Sequence, residues 1–286
     1  MPSAKGIMVA RTHLTAMLTV SSLLLAGCYE VDQDMWVNPD GSGKVRVDAK
    51  IKWAYRLPGP KDADSQLKAA AKAILEQSRG VSVWRDVELE RLEDGRVHFI
   101  GTAYFDRVSG LLLHEIQLYL LKWTQSAQHT RRLEVASIVS RGPRPRNLNE
   151  QELKKEVAAQ RAGYARTRHM RARRDTPAQV DLRIRLPGTV RKATNLKRRD
   201  DGSLYISYRG GKELQAMDAL MKDDSWVRRQ VLAGYDLSEH TPFGDPALNE
   251  KLFGDEGPVE AVIGGDLKPL FDYKAEVEQA KKEVPA

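Results

Sequence analysis

The sequence predicts an α+β fold, in which helices pack on one face of a curved antiparallel sheet and one basic helix protrudes. Three observations predict it. Several stretches alternate apolar and polar residues with the period of a strand. Two of these stretches are followed by Asp-Gly turns, at Asp40-Gly41 and Asp94-Gly95. Segments with helical spacing of apolar residues lie between the strands.

The first predicted hairpin covers residues 35–53. Asn38-Pro39 and Asp40-Gly41 are strong turn signals between its two extended arms. Its second arm alternates apolar with mostly charged residues, which is typical of a half-buried strand; the apolar positions are Val45, Val47, Ala49, Ile51 and Trp53. Pro58-Gly59-Pro60 then ends the strand.

A helix is predicted next, from Asp62 or Asp64 as its N-cap to about residue 78, with Gly80 as its C-cap. The second hairpin, residues 81–105, has the clearest strand alternation of the chain. Residues 108–123 fit either one helix or a short helix to about 113 and then a strand from 116. We favour the second interpretation, because that strand would pair with the alternating residues Leu133, Val135 and Ser137.

Residues 142–176 are predicted to form a stiff connector and then a basic helix that Asn149 opens. Because this helix is polar almost all round, we expect it to protrude. Its basic side chains either form a solvated face or contact anionic lipid or an acidic envelope partner. The candidate contact residues are Arg166, Arg168, Arg171, Arg173 and Arg174.

The rest of the chain predicts strands at residues 179–186, 204–208 and 259–263, with an irregular stretch at 191–197. Helices are predicted at residues 214–221, 226–233 and 273–283. Residues 234–257 are rich in Gly, Pro and Asp. We therefore predict an α+β domain over residues 28–235 and a C-terminal extension over 236–286.

The N-terminus carries Leu25-Ala26-Gly27-Cys28 at the end of an apolar run, behind Lys5 and Arg11. This pattern resembles a bacterial lipoprotein signal peptide with its lipobox, covering residues 1–27. The resemblance implies cleavage before Cys28, lipidation of its thiol and acylation of its new amino group, with palmitate as a typical chain. The alternative is an ordinary signal peptide or N-terminal anchor. Cys28 is the only cysteine, so no disulfide is expected.

Tyr29 and Glu30 follow Cys28, where inner-membrane lipoproteins of Gram-negative bacteria carry aspartate. That resemblance implies the outer membrane, with the domain facing the periplasm; in a Gram-positive host the rule does not apply. The expected partner is the membrane, through the anchor. The formal net charge of +7 adds anionic lipid or an acidic envelope protein as candidates. An exported protein has little access to nucleic acid, so we expect no nucleic-acid partner.

The sequence contains no Gly-x-Ser-x-Gly pattern and no P-loop pattern, so neither of these catalytic or nucleotide-binding signatures is present. No two histidines have zinc-helix spacing, and His114-Glu115 lacks the second histidine. We therefore expect no cofactor, no metal and no enzymatic activity, and a role in binding or structure. The alternative is a carrier of lipid or another apolar ligand in a sheet-lined cavity, whose candidate lining residues are Val81, Val83, Trp84, Val97, Phe99 and Ile184.

Four features together resemble the LppM-type bacterial lipoprotein domain, over residues 28–208. They are Cys28, the turn Asn38-Pro39-Asp40-Gly41-Ser42-Gly43, the strand end Ala103-Tyr104-Phe105-Asp106 and the turn Leu186-Pro187-Gly188-Thr189-Val190. The resemblance implies an α+β domain with helices on a curved antiparallel sheet. It carries no site residue over to this chain, and it does not cover the extension.

Overall fold

The computed structural model describes residues 29–52, 63–127, 130–137, 144–175 and 178–283. The predictions for the signal peptide, Cys28, Trp53, the turn at 58–60 and the cap Asp62 lie outside these residues.

The described chain forms strands and helices in nearly the predicted order. The strands are β1 Glu30–Val37, β2 Gly43–Ile51, β3 Val83–Arg91, β4 Val97–Phe105, β5 Tyr119–Ala127, β6 Thr130–Ser137, β7 Gln179–Arg185, β8 Thr189–Thr194, β9 Lys197–Arg198, β10 Leu204–Arg209 and β11 Val259–Gly264. The helices are α1 Ala63–Gln77, α2 Glu150–Asp175, α3 Gly210–Leu220, α4 Asp224–Ala233, α5 Pro246–Phe253 and α6 Tyr273–Glu283. The predicted α+β class is confirmed.

A seven-stranded sheet has the order β3-β4-β2-β1-β7-β10-β9. Both predicted hairpins are present, as β1–β2 and β3–β4. Strands β1 and β7 pair in parallel, with Glu30 opposite Gln179, while the other neighbours are antiparallel. Because side chains alternate along each strand, one face of this sheet is apolar and the other carries charged residues.

The strands do not form one sheet, which corrects the prediction. Strands β5, β6, β11 and β8 make a second, antiparallel sheet in that order. The two sheets share one core, in which Phe99 and Met35 of the first sheet belong with Leu121 and Leu133 of the second. Sheets pack in this way because each has one apolar face to bury.

Residues 108–123 follow the favoured interpretation. A 3₁₀ turn, Val108–Gly110, comes first, and β5 pairs with β6, with Leu121 opposite Val135 and Trp123 opposite Leu133. The strand begins at Tyr119 rather than at residue 116, because Ile116 is buried in a turn before it.

The helices lie on both faces of the seven-stranded sheet, not on one. Helix α1 adds Ala70 and Ile74 to the core between the sheets. Helix α6 packs Val277 and Ala280 against Tyr104, whose side chain lies on the opposite face.

The prediction that the basic helix protrudes is wrong. Leu153, Val157 and Tyr164 of α2 are buried in a second core, together with Trp226 of α4 and Met217 of α3. Leu153, Val157 and Tyr164 follow helical spacing and form one narrow apolar stripe along α2, which is enough to dock the helix.

The segment predicted as a C-terminal extension is integral to the fold. Strand β11 is an internal strand of the second sheet, between β6 and β8. Leu248 and Leu252 of α5 are buried in the helical core. Among the helices that the structure describes, none is long and apolar enough to cross a bilayer.

Candidate functional site

The chain enters the sheet immediately after the predicted anchor. Tyr29 is 7% exposed, and its carbonyl accepts a hydrogen bond of 2.7 Å from the amide of Gln179. Strand β1 begins at the next residue. Because consecutive Cα atoms are about 3.8 Å apart, the predicted anchor position is separated from the described domain by a single peptide unit.

This end of the seven-stranded sheet, where β1 and β7 begin and β10 ends, is called the N-terminal end below. Glu30 and Arg209 both pair with Gln179 there, and the amide of Gly210 donates 2.9 Å to the carbonyl of Ala178. Helix α2 ends at Asp175, four residues before Gln179. Four residues span at most about 14 Å, so the last turn of α2 lies at the same end as the start of β1.

The candidate arginines of α2 differ in their contacts and exposure. Arg168 binds both oxygens of Asp218, with Nη2–Oδ2 at 2.6 Å and Nε–Oδ1 at 3.0 Å. This pair holds the pKa of the Asp218 carboxyl below its ordinary value. Arg166 and Arg173 are exposed, while the side chain of Arg174 lies outside the described part of the chain.

Of the five candidate arginines, Arg171 is the one whose predicted role the structure contradicts. Its side chain is only 7% exposed, and its Nη2 donates 2.9 Å to Glu213 and 2.6 Å to Thr241. It is therefore wrong as a residue of an anionic-surface contact, since its charge is already used inside the molecule. Glu213 also accepts hydrogen bonds from the hydroxyls of Tyr208 and Thr241. This network joins α2, α3, β10 and the loop before α5.

The exposed residues at the C-terminal end of α2 follow one face. Arg166, His169, Met170 and Arg173 are spaced by three or four residues and all are exposed. Met170, at 45%, is a large apolar side chain left in solvent between these polar neighbours. These four residues are called the α2 tip below.

Several carboxylates at the N-terminal end of the sheet contact basic side chains. Arg96 binds Glu30 at 3.1 Å and Asp94 at 2.6 Å, and His98 contacts Glu90 at 2.8 Å.

The charged face of the seven-stranded sheet carries three aspartates in one row. Asp32 lies between Asp48 of β2 and Asp181 of β7 in the strand register. Burial first, and then the charges of Asp181 and Asp48, raises the pKa of Asp32. Sequence patterns do not show this row, because its members come from three separate strands. Over the described ranges, no group of His, Cys, Asp or Glu residues is placed to hold a metal ion.

Of the six residues predicted to line an apolar cavity, all except Val83 belong to the core between the sheets or pack against it. Val97, Phe99 and Ile184 are buried in the core between the sheets, and Trp84 packs edge-on against Phe99 with centroids 5.4 Å apart. Val83 is wrong as a member of this set, because it packs beside α6 on the opposite face. A cleft of about 450 Å³ lies instead beside α6; it is lined mostly by polar and charged residues, among them Asp40, Asp106, Tyr273, Lys274 and Glu278.

No protein family matches the chain by its sequence profile, and no curated protein matches it. Among solved structures, the folded domain of LppM from Mycobacterium tuberculosis, determined by NMR, matches with 13% identity and a TM-score of 0.31. The match covers 65% of this chain and 85% of that chain. The chain thus bears a weak structural resemblance to the LppM-type domain that its sequence motifs indicate.

Proposed function

We propose that the protein is a lipid-anchored protein of the bacterial envelope that acts by binding at the membrane surface and not by catalysis. The observation that carries the proposal is the position of Cys28. It closes a lipobox-like sequence and is followed directly by the buried Tyr29. Acyl chains on Cys28 would hold the folded domain against the bilayer, because two or more chains anchor stably where one does not.

The proposed location is the outer membrane, with the domain in the periplasm, if the host is Gram-negative. Tyr29 and Glu30 at the two positions after the cysteine support it, since neither is the aspartate of inner-membrane lipoproteins. Separation of inner and outer membranes on a sucrose gradient tests this part. Recovery of the protein with the inner membrane would contradict it.

The anchor is tested by Cys28→Ala in the full chain, followed by cell fractionation and intact mass spectrometry. We expect the native chain to carry acyl groups and sediment with membranes, and the variant to carry none and lose that association. Ser22→Ala, which changes the signal segment but not the lipobox, is the matched control and should behave like the native chain. Native protein without acyl groups would overturn the proposal.

The carrier of an apolar ligand remains the competing prediction. It needs an interior cavity, whereas Phe99 and Ile184 are buried by neighbouring side chains in the core. Native mass spectrometry of the purified full chain separates the two. We expect no lipid beyond the covalent anchor; a stoichiometric, non-covalent lipid would favour the carrier.

A further inference from the structure

We propose that the α2 tip, formed by Arg166, His169, Met170 and Arg173, lies against the anionic headgroups of the same membrane that holds Cys28. This inference rests on the proposed function and deepens it, because it states which surface of the domain faces the lipid.

The first step is proximity. Glu30 and Gln179 are paired at the N-terminal end of the sheet, and Asp175 is within about 14 Å of Gln179 along the chain. Arg173 lies two helical residues before Asp175, so its Cα is within about 20 Å of that point. An acylated Cys28 would place the membrane surface at this end of the domain, the same end at which the last turn of α2 lies.

The second step is the distribution of charge along α2. Arg161 binds Asp224 at 3.2 Å, and Arg168 and Arg171 bind the carboxylates of α3, so these cations face other helices. The middle of the exposed face is formed instead by alanines, at positions 158, 162 and 165. The exposed basic residues of the second half of the helix are thus concentrated in its last turns, nearest the anchor.

The third step is the combination of charge with an apolar side chain. Met170 is 45% exposed and stands one turn from both arginines. Cationic residues beside an exposed apolar residue are typical of surfaces that lie in the headgroup layer, where the apolar group is buried and the cations meet phosphate. An acidic protein would satisfy the arginines but would not account for the anchor at this end. The lipid surface is therefore the favoured occupant.

The experiment uses the lipidated full chain in vesicles. Since Cys28 is the only cysteine and its thiol would be acylated, one introduced cysteine is the only free thiol. Met170→Cys is labelled with an environment-sensitive fluorophore, and quenchers are carried on the lipid headgroups. The vesicles contain phosphatidylcholine alone or phosphatidylcholine with phosphatidylglycerol.

Leu270→Cys provides the matched control position. Leu270 is also a large exposed apolar residue, at 40%, and its amide donates 2.8 Å to Asn38 at the other end of β1. That end is about 23 Å from Glu30, from the rise of a strand. We expect quenching of the label at 170 in the anionic vesicles and little quenching at 270.

Charge removal tests the headgroup contact itself. Arg166→Gln with Arg173→Gln should reduce the quenching at 170 in anionic vesicles, by about fivefold in the docking equilibrium per charge, since a basic residue near an anionic leaflet contributes about 1 kcal/mol. High salt should have the same effect. Arg107→Gln with Arg199→Gln, two exposed arginines at the far end, is the matched control and should change nothing.

The possible outcomes distinguish a failure of the lipid anchor from a failure of the headgroup contact. A chain without acyl groups by mass overturns the proposed function and this inference with it. An acylated chain with equal quenching at the two positions, or stronger quenching at 270, overturns the inference alone. If quenching at position 170 changes neither with the arginine substitutions nor with salt, the inference is also overturned.

Discussion

The core between the two sheets and the core of the helices α2–α5 are built in different ways. The sheet core is held by alternating apolar residues such as Met35, Val47 and Phe99, all completely buried. The helical core has Trp226 at its centre, but α2 reaches it with few apolar residues and is held along one flank by Arg168 and Arg171. A helix rich in charge can therefore pack against a core along one side when its cations find carboxylates on the neighbouring helices.

The two designs differ in what they require. Apolar packing tolerates several similar residues at each position, provided that volume is kept. A buried ion pair requires both partners, because removal of one leaves the other without its counter-charge. The following predictions test this contrast, beginning with the largest expected effect.

Phe99→Ala should lower the free energy of unfolding by about 3–5 kcal/mol, because it opens a cavity in the completely buried sheet core and removes the ring contact with Trp84. Urea denaturation followed by circular dichroism measures the loss. Phe99→Leu is the conservative control and should cost much less. A loss below about 1 kcal/mol would mean that the two sheets are not closely packed.

Glu213→Gln should cost about 3 kcal/mol, because it removes the carboxylate that faces the buried Arg171 while it keeps the shape of the side chain. The same denaturation measurement applies. Glu250→Gln, in the exposed face of α5, is the control and should have no measurable effect. A cost as small as that of the control would show that the charge at position 213 does not stabilise the helical core.

Gly163→Ala separates a packed α2 from a protruding one. In a solvated helix this change stabilises by about 1 kcal/mol. Here a Cβ at position 163 would lie 2.8 Å from the Cβ of Ser238, so we expect a net destabilisation of about 1 kcal/mol. A rise in the midpoint of urea denaturation would contradict the docking of α2. Gly163→Ala combined with Ser238→Gly should recover the loss.

Asp218→Asn tests how the ion pair between Arg168 and Asp218 contributes to stability as the pH falls. The Arg168 pair lowers the pKa of Asp218 below its ordinary value of 3.8. The stability that this carboxylate contributes is therefore present above pH 3.8 and is lost as the pH falls through the lower, folded value. At neutral pH we expect a loss of about 0.5–1 kcal/mol in the variant, discounted for its partial exposure, and a smaller difference at pH 3. If the difference in unfolding free energy between the variant and the native chain stayed constant with pH, the pKa of Asp218 would not be lowered by folding.

His98→Gln is expected to show the opposite pH dependence in the sheet. Burial disfavours the charged imidazole, but the hydrogen bonds to Glu90 and Asp48 outweigh burial and raise the pKa of His98 above 6.5. Its contribution is present below pH 6.5 and is lost as the pH rises through the folded value. The variant should thus be less stable than the native chain by about 0.5 kcal/mol at pH 5.5 and equal to it near pH 9. Unfolding curves at the two pH values measure this, and a larger difference at high pH would contradict it.

The sequence determined the local elements of this protein, since their signals are local. The period of two in residues 97–105 and the Asp94-Gly95 turn gave β3–β4. Asn149 is the N-cap of α2 because it accepts a hydrogen bond from the amide of Glu152 at 3.0 Å, while Glu152 accepts one from the amide of Asn149. The lipobox at Cys28 is likewise a local pattern, and the anchor that it implies remains a prediction.

Tertiary structure alone decided which of these elements meet. Arg171 and Glu213 are 42 residues apart, and no periodicity in either segment indicates that they pair. The division of the strands into two sheets depends on β11, which reaches β6 and β8 from far along the chain. The same holds for the last turn of α2, which lies at the end of the sheet where β1 begins because β1 pairs in parallel with β7. Contacts between distant segments depend on which burial and charge pairing is best for the whole chain, and local sequence does not contain that information.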